Sequence, residues 1–479
     1  MRARFRSLLL LLPALLLNTG ARAGTVDGTI NPNYGNNLGR AVVAASPGFG
    51  TANPGLRAMA TSVSGRTWLF GEDRSGLQNE LLLIARLDAA TGQIDAGFGG
   101  GDGLVTVGFP AGINGPKIDG ALIQPDGKPL IFGYAFHLLG QDYETVGLIC
   151  RLNVAGNFDL SFGSNGCRMI TGLASHHESC TVRDLGYDSD NNGMIAVGGC
   201  RGDEAGATNP VFVAKLTASG GFDPEFTGGG VGFPSVSGGK IEFINALKVQ
   251  QSGRFAAAAT ISGIDGDYDI GVLQFSNDGT LDPTWHSAGA RRVPIDIAGN
   301  LHDFGMGIAQ RPDGRILVAG LADGPDYDDA VVLVQLEADG DLDPSFGTGG
   351  IATGPEPLTF SVQFADDVVP LQVLHSLAID DLGRPVVLGL LALANDVRVY
   401  RFTANGAKDP QFGVAGRGLV DIDHTEVLVG PFDSEDWPKG MIVERDRIVI
   451  ATRSDRNLDN FAFVATTLQA ANLLTDGFE

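Results

Sequence analysis

The chain alternates short apolar runs with turn signals, and the same scheme returns along its whole length. In one regular stretch, apolar runs occupy residues 103–109, 118–124, 128–136 and 145–153, and Pro-Asp-Gly separates the second run from the third. Short runs bounded by glycine, proline and aspartate are typical of β-strands joined by tight turns. Most runs are apolar at successive positions, which indicates sheets covered on both faces. The pattern predicts an all-β fold of four-stranded antiparallel units.

The turn between the second and third strands of a unit is marked by a glycine. The glycines at this turn are Gly65, Gly127, Gly193, Gly253, Gly314 and Gly383. In the last unit, Arg445, Asp446 and Arg447 stand there without a glycine. Glycine is the usual source of the positive φ that such turns need, so a less regular turn is expected in the last unit.

A second signal, which we call the box, precedes the first strand of each unit. Its clearest copy, residues 340–350, reads GDLDPSFGTGG. The anchor position of the box is occupied by Asn31, Asp95, Asp159, Asp223, Asp282, Asp343 and Asp409. The position three residues later is always aromatic: Tyr34, Phe98, Phe162, Phe226, Trp285, Phe346 and Phe412. The anchors are 64, 64, 64, 59, 61 and 66 residues apart. A fixed period of this size is typical of solenoids, propellers or arrays.

The residue types of the box favour a structural role. Aspartate or asparagine can close an Asx turn on its own backbone, proline presets φ, and glycine supplies a positive φ. We therefore interpret the anchor acids as turn-formers and assign no catalytic or cofactor-binding residue. A large aromatic at a fixed place beside a turn is expected to wedge between neighbouring units.

Seven units of four antiparallel strands predict a seven-bladed β-propeller. The apolar strands, the Pro-Asp-Gly turn, the strand that ends Arg-Leu and the box together resemble the delta-60 repeat family, most closely at residues 306–350. The resemblance implies a β-propeller and an exported or surface protein, and it implies no site residues. We expect one propeller domain over residues 24–470 and a tail at 471–479. The expected units are 31–94, 95–158, 159–222, 223–281, 282–342, 343–408 and 409–470.

A closed ring requires the two ends of the chain to meet. The chain has an apolar strand at residues 38–45 and a final strand at 460–467. We predict that the N-terminal strand is the outermost strand of the blade formed by the C-terminal segment. This pairing removes an exposed sheet edge.

The first 23 residues have the features of a secretory signal peptide. Three arginines precede an apolar run at residues 8–17, and Ala21-Arg22-Ala23 matches a cleavage site. That run is too short to span a bilayer, and no second candidate follows. Loss of Arg2, Arg4, Arg6 and Arg22 changes the formal charge from −23 to −27. Such acidity disfavours nucleic-acid binding and polybasic membrane contacts. A secreted, periplasmic or cell-surface monomer is expected.

Four cysteines in an exported chain suggest two disulfides. Cys150 and Cys167 flank one turn almost symmetrically, and Cys180 and Cys200 flank another. Facing positions of a hairpin bring the two Cβ atoms close enough to bond. We predict the bridges Cys150–Cys167 and Cys180–Cys200, with Cys167–Cys180 plus two free thiols as the alternative.

Acidic residues cluster in the connections predicted for the more variable face. The two candidate Ca²⁺ clusters are Asp265, Asp267 and Asp269 and, in the next unit, Asp326, Asp328 and Asp329. Ca²⁺ takes six to eight oxygen ligands, and a solvated acidic loop is the alternative for each cluster. Residues 188–193 carry oxygen side chains at three calcium-loop positions but lack the glutamate at the twelfth. His176, His177 and the Arg201-Gly202-Asp203 tripeptide are further isolated signals.

Two functional hypotheses follow from the sequence. The favoured one is a non-enzymatic binding or scaffold module that holds an unknown protein, glycan or surface ligand through its variable acidic loops. The longest of these loops are residues 354–370 and 423–440. The alternative is a hydrolase or lyase with its site at the central channel. An enzyme needs charged side chains on the innermost strands, and these strands are interpreted as apolar or small.

Overall fold

The structure is a computed structural model, and it confirms an all-β chain. It describes residues 28–469 except 37–39, 45–54, 63, 74–80, 89, 140–141, 172–177, 203–208, 265, 296, 298–301, 324–327, 355–357, 360–373, 392–395, 424–434, 445–446 and 456–460. Within these residues there are strands, turns and two 3₁₀ turns, at Gln251–Gly253 and Val414–Gly416, and no α-helix.

The strands form antiparallel groups in chain order, each counted from its innermost strand outward. The first three groups are β2 (Gly55–Thr61), β3 (Arg66–Asp73), β4 (Leu81–Asp88) and β5 (Leu104–Gly108); β6 (Asn114–Ile123), β7 (Pro129–Leu139), β8 (Asp142–Arg151) and β9 (Cys167–Ile170); and β10 (Glu178–Asp188), β11 (Gly193–Gly202), β12 (Val211–Leu216) and β13 (Val231–Gly232). A single parallel bridge between Thr145 and Ser179 joins the second group to the third.

The later groups repeat this order. They are β14 (Gly239–Val249), β15 (Phe255–Gly263), β16 (Tyr268–Phe275) and β17 (Ala290–Val293); β18 (Asp303–Gln310), β19 (Ile316–Ala322), β20 (Asp328–Leu336) and β21 (Ile351–Thr353); and β23 (Leu374–Ile379), β24 (Pro385–Leu391), β25 (Asp396–Arg401) and β26 (Leu419–Ile422). A short strand, β22 (Leu358–Thr359), pairs with the far end of β20.

The last group combines the two ends of the chain. It consists of β27 (Glu435–Val443), β28 (Arg447–Asp455), β29 (Phe461–Gln469) and, outermost, β1 (Arg40–Ala44). β1 pairs antiparallel with β29 over five residues, from Arg40 opposite Thr466 to Ala44 opposite Ala462. This is the pairing predicted for the N-terminal strand. In every group, therefore, the outermost strand comes directly after a box in the sequence.

Innermost strands of successive groups pack side by side. β2 contacts β6, and the series continues through β10, β14, β18 and β23 to β27, which contacts β2. Apolar clusters lie between the sheets, as the two-faced apolar strands predict. The described residues therefore have a propeller-like arrangement, with the innermost strands around a central channel.

The box aromatics pack against the following unit. All seven are at most 3 % exposed. The ring of Phe346 lies directly against Gly406, whose φ is +85°, and a Cβ at that glycine would be 2.9 Å from the ring. The other aromatics pack in the same way: Tyr34 against Gly92, Phe98 against Gly156, Phe162 against Gly220, Phe226 against Gly279, Trp285 against Gly340, and Phe412 against Gly28. The aromatics are wedges between units, and the last one contacts the N-terminal segment.

The anchor residues close Asx turns, as predicted. In each box the side-chain Oδ1 of the anchor accepts the backbone N–H two residues on, namely that of Asn33, Gly97, Ser161, Glu225, Thr284, Ser345 or Gln411. At Asp343 the other oxygen accepts Arg315 Nη1 at 2.8 Å and Gln335 Nε2 at 2.6 Å. Although burial acts to raise it, hydrogen bonds from Ser345, Arg315 and Gln335 hold the pKa of Asp343 well below its usual range.

Both predicted disulfides are present. Cys150 is bonded to Cys167 and Cys180 to Cys200, and no described cysteine is free. Each pair lies at directly facing positions of two antiparallel strands. The hairpin geometry inferred from the flanking turns therefore determined the pairing.

Candidate functional site

Each innermost strand has a β-bulge at the same place. The register shifts fall between Leu56 and Ala58, Ile118 and Gly120, Val182 and Asp184, Ile244 and Ala246, Gly305 and Gly307, Leu374 and Ser376, and Pro438 and Gly440. The extra residues are Arg57, Asp119, Arg183, Asn245, Met306, His375 and Lys439. A bulge interrupts the alternation of side chains along a strand, so that one side chain points in a different direction.

These bulges surround a cavity of about 320 Å³ in the central channel. Its walls come from the middle of the innermost strands, and all the bulge residues except His375, whose side chain is not described, line it. The ionisable lining residues are Arg57, Asp119, Arg183, Asp184 and Lys439. Met306, Ile308, Leu377 and Met441 provide an apolar sector. The volume falls within the range of small-molecule pockets.

This finding corrects the interpretation of the innermost strands as apolar or small. The bulge positions recur 62, 64, 62, 61, 69 and 64 residues apart, which is the period of the box. A column of seven equivalent positions, six of them polar or charged, was therefore readable in the repeat, although the direction of its side chains was not. It was missed because strict alternation assigns inward and outward positions, and a one-residue bulge reverses that assignment.

Arg57 is already paired. Its Nε donates to Oε2 of Glu72 at 3.1 Å, and the ammonium of Lys117 lies 3.7 Å from the same carboxylate. The other oxygen of Glu72 accepts the backbone N–H of Ile118 at 2.5 Å, which links the first sheet to the second. Glu72 is 2 % exposed, so its charge is compensated within the protein. Arg57 Nη2 is buried and has no hydrogen-bond partner in the described part of the chain.

Asp119 faces the cavity from β6. Its Oδ2 accepts the hydroxyl of Thr181 at 3.1 Å, and it forms no ion pair with either neighbouring arginine. The Asp119 side chain is exposed to the solvent-accessible cavity that it borders, although the surrounding innermost strands place it deep within the protein. Burial raises the pKa of Asp119, and the charges of Arg183, Arg57 and Lys439 oppose the rise.

Arg183 faces the same cavity from β10. Burial lowers the pKa of its guanidinium, and the charge of Asp119 opposes this effect. Among the residues that the structure describes, Arg183 has neither a hydrogen-bond partner nor an ion-pair partner. An arginine remains protonated in proteins, so a cation with five donors faces the channel.

Asp184 and Asn245 tie neighbouring sheets together beside the cavity. Asp184 accepts the backbone N–H groups of Leu185 and Leu247, both at 2.8 Å. Burial raises the pKa of Asp184 to about 6 although these hydrogen bonds act to lower it. Asn245 donates through Nδ2 to the carbonyl of Gly305 at 2.8 Å. Both side chains have structural partners across a blade boundary.

The predicted Ca²⁺ residues are only partly described. Asp267 and His302 form a pair with 3.1 Å between Oδ1 and Nδ1, and buried Asp269 forms an ion pair with Arg292. Asp265 and Asp326 lie outside the described residues, as do the side chains of Asp328 and Asp329. In the portion of the chain that is described, no three histidine, cysteine or acidic residues cluster as a metal site requires. A Ca²⁺ site in these loops stays a prediction.

The other isolated signals of the sequence do not form a common site among the described residues. Asp188 is 1 % exposed and forms an ion pair with Lys215 at 3.0 Å, and it accepts a hydrogen bond from Asn191. It therefore stabilises a hairpin. His176, His177 and Asp203 lie outside the described residues. The same holds for residues 360–373 and 424–434, which make up most of the two longest predicted loops.

Comparison with known families supports a β-propeller. A family profile described as "Domain of unknown function (DUF5122) beta-propeller" matches residues 250–284 and 311–346. Each segment runs from the turn after an innermost strand to a box. The match supports a β-propeller repeat family in general and not the delta-60 repeats in particular.

Comparison with whole proteins is less specific. No curated protein matches the chain. A protein of unknown function from Dyadobacter fermentans DSM 18053 has a TM-score of 0.40 and 9 % identity, over 91 % of this chain and 99 % of that one. Trypanosoma rangeli sialidase in complex with the inhibitor DANA has a TM-score of 0.37 and 11 % identity, over 86 % and 55 %. A puromycin-hydrolyzing peptidase of Mycobacterium tuberculosis has a TM-score of 0.39 and 13 % identity, over 84 % and 49 %. The chain thus spans about half the length of these two enzymes.

One finding bears on the compartment. The disulfides are compatible with an extracellular or periplasmic protein. No helix within the described ranges has the length and apolarity to cross a membrane.

Proposed function

We propose that the chain forms a closed seven-bladed β-propeller over residues 24–470, exported after cleavage behind Ala23. Three observations support closure: β1 pairs with β29, β27 contacts β2, and the ring of Phe412 packs against Gly28. The two disulfides and the signal-like N-terminal sequence support export.

The function that the geometry supports best is binding of a small ligand in the central channel through an anionic group of that ligand. The observation that carries this proposal is the guanidinium of Arg183, which faces a 320 Å³ cavity without a partner among the described residues. Lys439 and Arg57 line the same cavity. Three cations and two acids converge there although the whole chain has a formal charge of −23. In a partly enclosed channel, such cations attract an anionic group more strongly than they do in bulk water.

The test is direct binding to wild type and to Arg183→Gln. Isothermal titration calorimetry with acetate, lactate, glutarate and inorganic phosphate should identify at least one ligand of the wild type. Loss of charge-assisted hydrogen bonds should weaken that binding by about 1.5–3 kcal/mol, or roughly ten- to a hundred-fold. The control is Lys408→Gln, which removes the same charge from an exposed box turn and should leave affinity unchanged. Equal loss in both variants, or no binding to the wild type, contradicts the proposal.

A second candidate is a hydrolase or lyase at the same place. The observation that favours it is Asp119, whose carboxyl has a raised pKa and borders the cavity beside Arg183. A carboxyl of this kind suits general-acid chemistry, and an arginine suits stabilisation of a developing anion. Turnover of chromogenic ester, glycoside or peptide substrates that Asp119→Asn abolishes, while the fold and melting temperature are kept, would establish the enzyme. Binding through the acidic loops remains the prediction made from the sequence.

A further inference from the structure

We propose that the channel ligand is a zwitterion of the α-amino-acid class, whose carboxylate binds Arg183 and whose ammonium binds Asp119. This inference rests on the proposed function above, because it specifies the chemistry of the same cavity. It requires that both residues face the cavity, that neither is neutralised by protein, and that the other charges there are compensated.

The two residues occupy equivalent bulge positions on neighbouring strands. Asp119 lies on β6 and Arg183 on β10, and both line the cavity. The charge of each residue acts on the pKa of the other, so the two side chains are near enough to interact electrostatically. Nevertheless, they do not form an ion pair within 4 Å. Opposite charges that line one cavity and are not joined to each other leave room for a ligand with complementary charges between them.

The other acidic groups in this sector are compensated by the protein. Glu72 is held by Arg57, by Lys117 and by the N–H of Ile118. Asp184 accepts backbone N–H groups with both of its oxygens. By contrast, Asp119 has a hydrogen-bond donor on only one oxygen, the hydroxyl of Thr181, among the described residues. Apart from one nitrogen of Arg57, the charged groups of this sector that lack full partners among the described residues are therefore the acceptor Asp119 and the cationic donor Arg183.

A ligand that carries only an anionic group is expected to bind here, but more weakly than a zwitterion. A carboxylate placed at Arg183 would gain the guanidinium but would stand near the Asp119 carboxylate, and like charges in an enclosed site are costly. A ligand with an ammonium beside its carboxylate satisfies both groups and adds no net charge to the cavity. An α-amino acid carries these two groups on one carbon and fits a cavity of about 320 Å³.

The experiment compares each amino acid with analogues that lack one of the two charges. The common L-amino acids are titrated individually into the purified mature chain at neutral pH. For every amino acid that binds, two analogues follow: the deamino acid, which lacks the ammonium, and the amino-acid amide, which lacks the carboxylate. We expect each analogue to bind the wild type at least about tenfold more weakly, since each loses one charge-assisted hydrogen bond.

The variants assign each charge to its partner. In Asp119→Asn, the affinities for the amino acid and for its deamino analogue should differ by less than about threefold. In Arg183→Gln, the affinities for the amino acid and for its amide should likewise differ by less than about threefold. Asp126→Asn, at an exposed hairpin turn, is the control and should keep the wild-type preferences. Near-ultraviolet circular dichroism and thermal unfolding identify any variant that fails to fold.

The outcomes separate this inference from the proposed function. If deamino acids bind as tightly as amino acids, or if simple carboxylates bind and amino acids do not, the zwitterion inference is overturned and anion binding stands. If neither amino acids nor carboxylates nor phosphate bind, both are overturned. Amino-acid binding that is unaffected by Asp119→Asn and Arg183→Gln also overturns the inference, since the ligand then lies elsewhere.

Discussion

Replacing Phe346 with alanine tests whether the box aromatics hold the blades together. The side chain is fully buried, and its ring contacts Gly406 of the following unit. It belongs to a cluster that joins Leu333 of one sheet to Val387 and Tyr400 of the next. Removal of the ring therefore opens a cavity at a blade boundary.

The magnitude follows from this burial. Loss of a fully buried phenylalanine combines the lost transfer free energy with a cavity cost, for a total of about 3–5 kcal/mol. Unfolding entropy near 2.1 cal/mol/K per residue, over roughly 440 residues, gives about 0.9 kcal/mol/K. If the propeller unfolds as one unit, the melting temperature should fall by about 4 °C.

The matched control is Phe233→Ala, because Phe233 is 51 % exposed. It should cost less than about 1 kcal/mol, since its removal leaves no internal cavity. Urea unfolding, followed by fluorescence and circular dichroism, gives both free energies of unfolding. If Phe346→Ala costs no more than Phe233→Ala, the aromatics are not wedges between blades, and this account of the repeat is refuted.

Two further predictions concern pH and closure. Burial raises the pKa of Asp184 to about 6 from an unfolded value of 3.8, so its contribution to stability is fully present below about pH 4 and is lost as pH rises through about 6. Relative to Asp184→Asn, the wild type should lose about 3 kcal/mol of unfolding free energy between about pH 4 and 7; urea titrations that give parallel pH profiles would contradict this. Deletion of residues 24–45 removes β1, including buried Ala41 and Val43, and leaves the edge of β29 unpaired. It should lower the melting temperature more than Phe346→Ala does and promote aggregation detectable by light scattering, whereas a shift below 1 °C would show that β1 does not stabilise the closing blade.

The local features of this protein were determined by the sequence alone. Apolar runs and turn residues act within a few positions of each other, so they predicted the strands, the Asx turns of the box and the all-β class. The pairing of Cys150 with Cys167 was equally accessible, because both flank one turn. Each box aromatic contacts a glycine about one period further along the chain, as Tyr34 contacts Gly92 and Phe346 contacts Gly406.

The candidate site was decided only by the tertiary structure. Asp119 and Arg183 are 64 residues apart and face one cavity because their strands stand side by side around the channel. Their inward direction depends on bulges, which add one residue to a strand without a clear signal in its hydrophobic pattern. Which charges are neutralised and which are left for a ligand depends on cross-blade partners such as Glu72 and Thr181. Interactions between residues near one another in the sequence determine the strands and turns of each blade. The chemistry of the channel arises from side chains that meet only when the blades are assembled.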